Sequence, residues 1–204
     1  MSQPRDERVP TRKSLIDAVK VGQRWEEFDN FYRPLIYGYA RKEGLSHAEA
    51  EDAAQETMAS VWKNISKYDR AKGRFKSWLL KVTRWRIIDQ LRERGPLVQL
   101  PPWADETEVS TGTGPEVVQP AAQEFDAGWD AEWEKNLLEG ALRKVRPRVD
   151  PQKYQIFDFY VNKDWPAEKV AACFGVSVEQ VYQAKHRITE MIRAEVKRIE
   201  KEMF

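Results

Sequence analysis

Residues 46–66, SHAEAEDAAQETMASVWKNIS, residues 67–74, KYDRAKGR, and residues 75–94, FKSWLLKVTRWRIIDQLRER, read as two helices joined by a short basic loop. Ser46 followed three residues later by Glu49 is a capping box, in which hydroxyl and carboxylate each satisfy an otherwise unpaired backbone N–H, so the first helix begins there. Ala54, Met58, Val61, Ile65 and Tyr68 recur at intervals of three and four and are predicted to share a buried face. Asp52, Gln55, Glu56, Ala59 and Lys63 cluster on a different face, which alone reads as an ordinary solvated side.

The second helix is apolar on two sides. At roughly 100° per residue, Phe75, Trp78, Leu79, Val82 and Trp85 lie on one side and Leu80, Ile87, Ile88 and Leu91 nearly opposite. Such a helix is either sandwiched or has one half against a ligand. Lys81, Trp85 and Arg92 fall on one line at its margin, with Arg84 close by. Between positions 63 and 94 eleven cations face only Asp69, Asp89 and Glu93, a local charge of +8. Cations interleaved with Tyr68, Phe75, Trp78 and Trp85 suit single-stranded nucleic acid, where charges follow phosphates and exposed rings stack on bases. The same rings at the same spacing are equally compatible with core.

Outside this pair, charge is segregated. The 204 residues carry a formal net charge of +1, yet positions 95–134 hold nine carboxylates and no Lys or Arg. The remainder therefore sums to +10, a partition that suits a nucleic-acid binder with an acidic connector. Residues 1–14 are polar and charged, and disorder is the expectation. Trp25, Phe28, Tyr32, Leu35, Ile36 and Tyr39 predict a helix that packs on the central pair, kinked at Pro34. Residues 96–125, rich in Pro, Gly, Ser and Thr, read as a linker, in which Trp103, like Trp129 just after it, is out of character and suits an anchor on a neighbour.

Helical spacing resumes at Asp126, with Trp129, Trp133, Leu137, Leu138, Ala141, Leu142 and Val145. After Pro147 and Pro151 a further helix places Tyr154, Phe157, Tyr160 and Val161 on its apolar side. Next, Ala167, Val170, Ala171 and Phe174, then Gly175 in a turn, then a helix from Val178 give the spacing of a helix-turn-helix. Ser177 and Gln180 form a second capping box. Val178, Val181, Ile188 and Ile192 are predicted inward, leaving Glu179, Gln180, Tyr182, Gln183, Lys185, His186 and Arg187 to face a major groove.

No catalytic set emerges. Cys173 is the sole cysteine, His47 and His186 have no ligand spacing around them, and no phosphate-binding glycine loop occurs. No enzyme activity, cofactor or metal is expected. With no apolar run near 18 residues, a cytoplasmic protein without membrane contact is expected.

The order AEDAAQETMASVW, basic loop, FKSWL, TRWRIIDQLRER resembles region two of bacterial sigma factors, specifically the compact extracytoplasmic-function (ECF) class of the sigma-70 family. The C-terminal helix-turn-helix is similar to region four of the same family. The resemblance implies an all-α chain of two small helical domains joined by a flexible acidic linker: residues 15–95 as region two, 96–125 as linker, 126–198 as region four and 199–204 as a tail. It implies a factor that binds the clamp and flap of core RNA polymerase and directs promoter-specific initiation, with an anti-sigma protein as a further candidate partner. Asp52, Gln55, Glu56 and Lys63 would dock on the polymerase. Lys67, Arg70, Lys72, Arg74, Phe75, Ser77, Trp78, Lys81, Arg84, Trp85 and Arg86, with Asp89, would open and hold the minus-ten element. Ser177, Glu179, Gln180, Tyr182, Gln183, Lys185, His186 and Arg187 would read the minus-thirty-five element as duplex. Trp85 departs from the family, which commonly has Asn there, and the EQVYQAKHR of the reading helix departs from its usual pattern. The competing reading is a stand-alone helix-turn-helix repressor or activator, which needs no polymerase. A DNA recombinase lacks its nucleophile and metal carboxylates here.

Overall fold

The computed structural model describes residues 14–95, 100–104 and 126–203. The linker, apart from residues 100–104, and the N-terminal residues 1–13 lie outside the described residues. Among those described, regular structure is entirely helical, and no helix is long and apolar enough to cross a membrane. The chain divides into two compact units, one running through Glu134 and the other from Lys135 to Met203.

The first unit is built from α1 (Leu15–Lys20), α2 (Trp25–Lys42), α3 (His47–Asn64) and α4 (Phe75–Glu93), joined by the first turns of α5 (Ala127–Val145). Helix α3 starts at the expected capping box: Ser46 N–H donates to Glu49 at 2.7 Å and Glu49 N–H donates to Ser46 Oγ at 3.3 Å. Its Ala54, Met58, Val61 and Ile65 are buried, and Tyr68 follows them into the core just beyond the helix. Helix α2 carries the expected stripe of Phe28, Tyr32, Leu35, Ile36 and Tyr39, all buried. It runs as one helix through Pro34, which sits exposed, so the residue does not end the helix as its missing donor would in a buried turn.

Helix α4 is the core of this unit. Twelve of its nineteen residues are buried, because α2, α3 and the start of α5 pack around it. Its two apolar sides therefore reflect a sandwiched helix. Phe75 is fully buried, with ring centroids 5.3 Å from Tyr32, 5.5 Å from Tyr68 and 5.5 Å from Trp78. Trp78, 2% exposed, also lies 5.5 Å from Tyr68. These rings are core and offer no face to a base.

The second unit holds the latter part of α5, then α6 (Pro151–Phe157), α7 (Ala167–Phe174) and α8 (Val178–Met203). Asp150 caps α6 by accepting from Lys153 N–H at 3.1 Å, with Pro151 at the first helical position. A π-helical turn over residues 158–162 then adds a residue to the turn and shifts the face it presents. Ile156 and Phe157 are buried just before it, whereas Val161 within the shifted turn, expected inside, is 42% exposed. Helices α6, α7 and α8 enclose a small core of Ile156, Ala167, Val170, Ala171, Val181 and Ala184. Gly175 ends α7 at φ +65°, the left-handed conformation that favours glycine. Helix α8 is continuous to Met203, so residues 199–203 of the expected tail are helical. Glu195 on α8 is buried yet gathers Arg198 at 2.6 Å, Arg148 at 3.2 Å and Lys144 of α5 at 3.9 Å. Burial alone would raise its pKa; Arg198 and the other cations hold it below the ordinary carboxylate value.

Candidate nucleic-acid and protein interface

The exposed side of α3 is as the periodicity predicts. Asp52, Gln55, Glu56, Ala59 and Lys63 are all exposed, because the buried positions of the same helix point into the bundle. Among them Glu56 forms an ion pair with Arg86 at 3.6 Å. Arg86 is an α4 residue expected on DNA, but it reaches across to α3, donating to Ser60 Oγ at 2.8 Å, and contacts Asp89 at 3.3 Å. It ties two helices together. A second tie joins Arg94, just after α4, to Glu49 at 2.5 Å. Hydrogen bonds from Arg94 and from Ser46 hold the Glu49 carboxyl down to about 2.

The loop between α3 and α4 presents Lys67, Arg70, Lys72 and Arg74, all exposed. Arg70 is turned onto α1, where it meets Asp17 at 3.2 Å and Ser14. Lys20 of α1 donates to Tyr68 O at 2.6 Å and fixes the base of the loop. Lys67, Lys72 and Arg74 extend beyond these contacts. On α4, Lys81 and Trp85 are part-exposed, and the Trp85 indole N–H is buried without a hydrogen-bond partner. Ser77, Phe75 and Trp78 are interior. The expected minus-ten set thus separates into an exposed group, Lys67, Lys72, Arg74, Lys81 and Trp85, and a group occupied in the fold: Arg70, Phe75, Ser77, Trp78, Arg84 and Arg86.

In the second unit α7, its turn and α8 form the expected helix-turn-helix. Val181, Ile188 and Ile192 are buried and Val178 partly so, while Glu179, Gln180, Tyr182, Gln183, Lys185, His186 and Arg187 are exposed. Ser177 and Gln180 serve the helix start: Ser177 N–H donates to Gln180 Oε1 at 2.9 Å and Gln180 N–H donates to Ser177 Oγ at 3.2 Å. Glu179 accepts from Gln183 at 3.3 Å, and Lys185 lies 5.6 Å from the centroid of the Tyr160 ring. His186 and Arg187 point outward next to them. The face carries several side-chain donors and acceptors.

The sigma-70 region 2 family matches residues 30–96, which span the latter part of α2, all of α3, the basic loop and α4. Through that region the chain is similar to bacterial sigma factors of the sigma-70 family. It is 31% identical over 67 residues to the ECF RNA polymerase sigma factor RpoE of Cereibacter sphaeroides, covering 33% of this chain and 37% of the relative. It is 32% identical over 89 residues to SigK of Mycobacterium bovis, 41% of this chain and 48% of the relative, and 29% identical over 96 residues to SigE of Mycolicibacterium smegmatis, 46% and 36%. The chain thus matches less than half the length of these ECF sigma factors.

The first unit carries further packing that lies beyond the matched span. Asp126 caps α5 by accepting from Trp129 N–H at 2.8 Å, and its other oxygen accepts from Tyr39 OH at 2.6 Å and from Arg84 at 2.7 Å. Arg84, 5% exposed, is covered by the Trp103 ring at 4.8 Å, and Trp103 in turn donates its indole N–H to Glu43 at 2.9 Å. Around this centre Lys76 meets Asp130 at 2.6 Å and Lys42 meets Glu132 at 2.8 Å. Trp129 is edge-on to Tyr39 at 5.2 Å, and Trp133 lies 5.8 Å from Tyr32. Burial would raise the Asp126 pKa, but hydrogen bonds from Tyr39, Trp129 N–H and Arg84 bring it below the ordinary value. Burial pushes Tyr39 above its usual value and raises Glu43. The anchoring expected of Trp103 and Trp129 is present, but sequence reasoning did not foresee the Asp126–Arg84 centre and placed the change of unit at 126 rather than after Glu134. The signal was there in two tryptophans and four carboxylates within nine residues, at helical spacing.

Proposed function

We propose that this chain is a sigma factor: a non-enzymatic subunit that binds core RNA polymerase and directs promoter-specific initiation in the cytoplasm. The observation that carries the reading is that the matched region 2 leaves an acidic and amide face on α3 exposed beside a cationic loop. Asp52, Gln55, Glu56 and Lys63 are the docking face for the polymerase clamp. Lys67, Lys72 and Arg74 follow the phosphates of the opened minus-ten strand, and Trp85 with Lys81 supplies a part-exposed ring and charge beside it. The helix-turn-helix of the second unit acts as region four. There the exposed Gln183 and Arg187 read base edges of the minus-thirty-five duplex, Lys185 neutralises phosphate, and the Ser177–Gln180 cap starts the helix.

The test is reconstitution with bacterial core polymerase. The double variant Asp52→Arg, Glu56→Arg is expected to keep the melting curve of the wild type, since both side chains are exposed, and to lose co-purification with core enzyme. Unchanged co-purification would overturn the docking face. Transcript starts mapped from the reconstituted enzyme should share two spaced promoter elements, and starts indistinguishable from those of core enzyme alone would overturn the sigma reading itself.

A further inference from the structure

The acidic start of α5 is an uncommon neighbour for a nucleic-acid-binding helix. It brings Asp126, Asp130 and Glu132 onto the cations Arg84, Lys76 and Lys42 of α4 and α2. It also brings two indoles. Trp129 and Trp133 are 1% and 6% exposed, and Lys76 sits 5.3 Å from the centroid of the Trp133 ring. Residue 103 closes the arrangement from the other side, its ring stacked on the Arg84 guanidinium. The cations Arg84 and Lys76 of α4 are thus neutralised by carboxylates from the chain's own segment after the linker. Asp126 is a helix cap as well as the Arg84 partner, so leaving Arg84 would also leave α5 to fray at its start.

We propose that Trp103 and residues 126–133 form an intramolecular latch on region 2, and that Arg84 and Lys76 reach nucleic acid only after the latch leaves. The inference rests on the reading of α4 as a nucleic-acid-contacting helix. The latched form holds the free protein's affinity for single strands below that of the open form by the fraction of molecules that are open. The docked segment has its own cap, its own apolar pair and three ion pairs, two of which are at the rim.

Two full-length variants open the latch in different ways. Trp133→Ala removes apolar contact without changing charge, and Asp130→Asn with Glu132→Gln removes the two rim ion pairs while keeping side-chain size. Amide hydrogen exchange over residues 127–134 reports the opening, and fluorescence anisotropy of a short labelled oligo-dT strand reports binding. Both variants are expected to exchange faster in that segment and to bind the strand at least about threefold more tightly. Adding Arg84→Gln to either variant should remove the gain, whereas a segment with only a structural role would give none to remove. Faster exchange with unchanged binding, or a gain that survives Arg84→Gln, overturns the latch. If neither the wild type nor the variants bind the strand while exchange still accelerates, the nucleic-acid reading of α4 fails and the gating falls with it, although the docking itself remains visible in the exchange.

Discussion

Two tryptophans seven residues apart on α4 have opposite situations. Trp78 is buried against Tyr68 and Phe75, and Trp78→Ala should lower stability by about 3–5 kcal/mol in urea unfolding, the range for removing a large buried ring. Trp85 is part-exposed and buries an unpartnered indole N–H, so Trp85→Phe deletes a polar group that the fold leaves unsatisfied. That variant should be within about 0.5 kcal/mol of wild type in the same assay, as surface changes commonly are. A loss comparable to that of Trp78→Ala would show Trp85 to be core. Glu49 supports a third residue-scale prediction. Its folded-state carboxyl is depressed to about 2 from 4.5, so its contribution is fully present above 4.5 and disappears as pH falls toward 2. The difference in urea midpoint between wild type and Glu49→Gln should therefore be constant from pH 7 to pH 5 and shrink below pH 4.5. Removing the partner with Arg94→Ala should weaken that pH dependence, because Arg94 is the main cause of the depression. A midpoint difference independent of pH down to 2.5 would contradict it.

At the scale of single helices, local rules carried far. Both capping boxes, the faces of α3 and α8, the glycine that ends α7 and the helix order were legible because each depends on residues three or four apart. The π-helical turn after Phe157 was not, since it shifts a register without leaving a Pro or Gly to mark it. The site divided along the same line. Exposure of Asp52, Gln55, Glu56 and Lys63 follows from periodicity, whereas the two-sided pattern of α4 has no single outside to find, and charge there did not imply freedom. Arg86 and Arg94 are cations spent on holding α4 to α3 or its cap. The cap of α8 gives the prediction at this scale. Ser177→Ala leaves the first turn of α8 without its acceptor and should cost about 1 kcal/mol, read as a lower urea midpoint. Gly175→Ala, forced into a left-handed turn with open space around it, should cost a similar amount through backbone strain alone. Gly175→Asn should recover part of that loss, as Asn tolerates the left-handed region better. Equal losses for Ala and Asn would mean that space, not conformation, limits position 175.

On the scale of the chain, the contacts that sequence reading could not supply are those across long separations. Arg84 and Asp126 are 42 residues apart and Tyr39 and Asp126 are 87 apart, so no periodicity links them. Composition marked the segment as acidic connector, and its tryptophans were the only sign that part of it packs. The packing makes a definite claim about where the first folding unit ends. A fragment of residues 1–95 holds α1 to α4 but leaves the α2–α4 surface without Trp129 and Trp133, and leaves Arg84 buried without its carboxylate. A fragment of residues 1–134 restores all of them. Removing one buried tryptophan generally costs about 3–5 kcal/mol. An unpaired buried charge adds to that, and the shorter fragment relieves part of the sum by repacking or hydration. A difference of at least about 3 kcal/mol is therefore expected, and with a urea slope of about 1–3 kcal/mol per molar it appears as a midpoint at least about 1 M higher for the longer fragment. Adding Asp126→Ala to the longer fragment should forfeit a large part of the gain, because it removes the cap of α5 and the partner of Arg84 together. Coincident midpoints for the two fragments would mean that the start of α5 merely rests on region 2, and that α1 to α4 are already a complete folding unit.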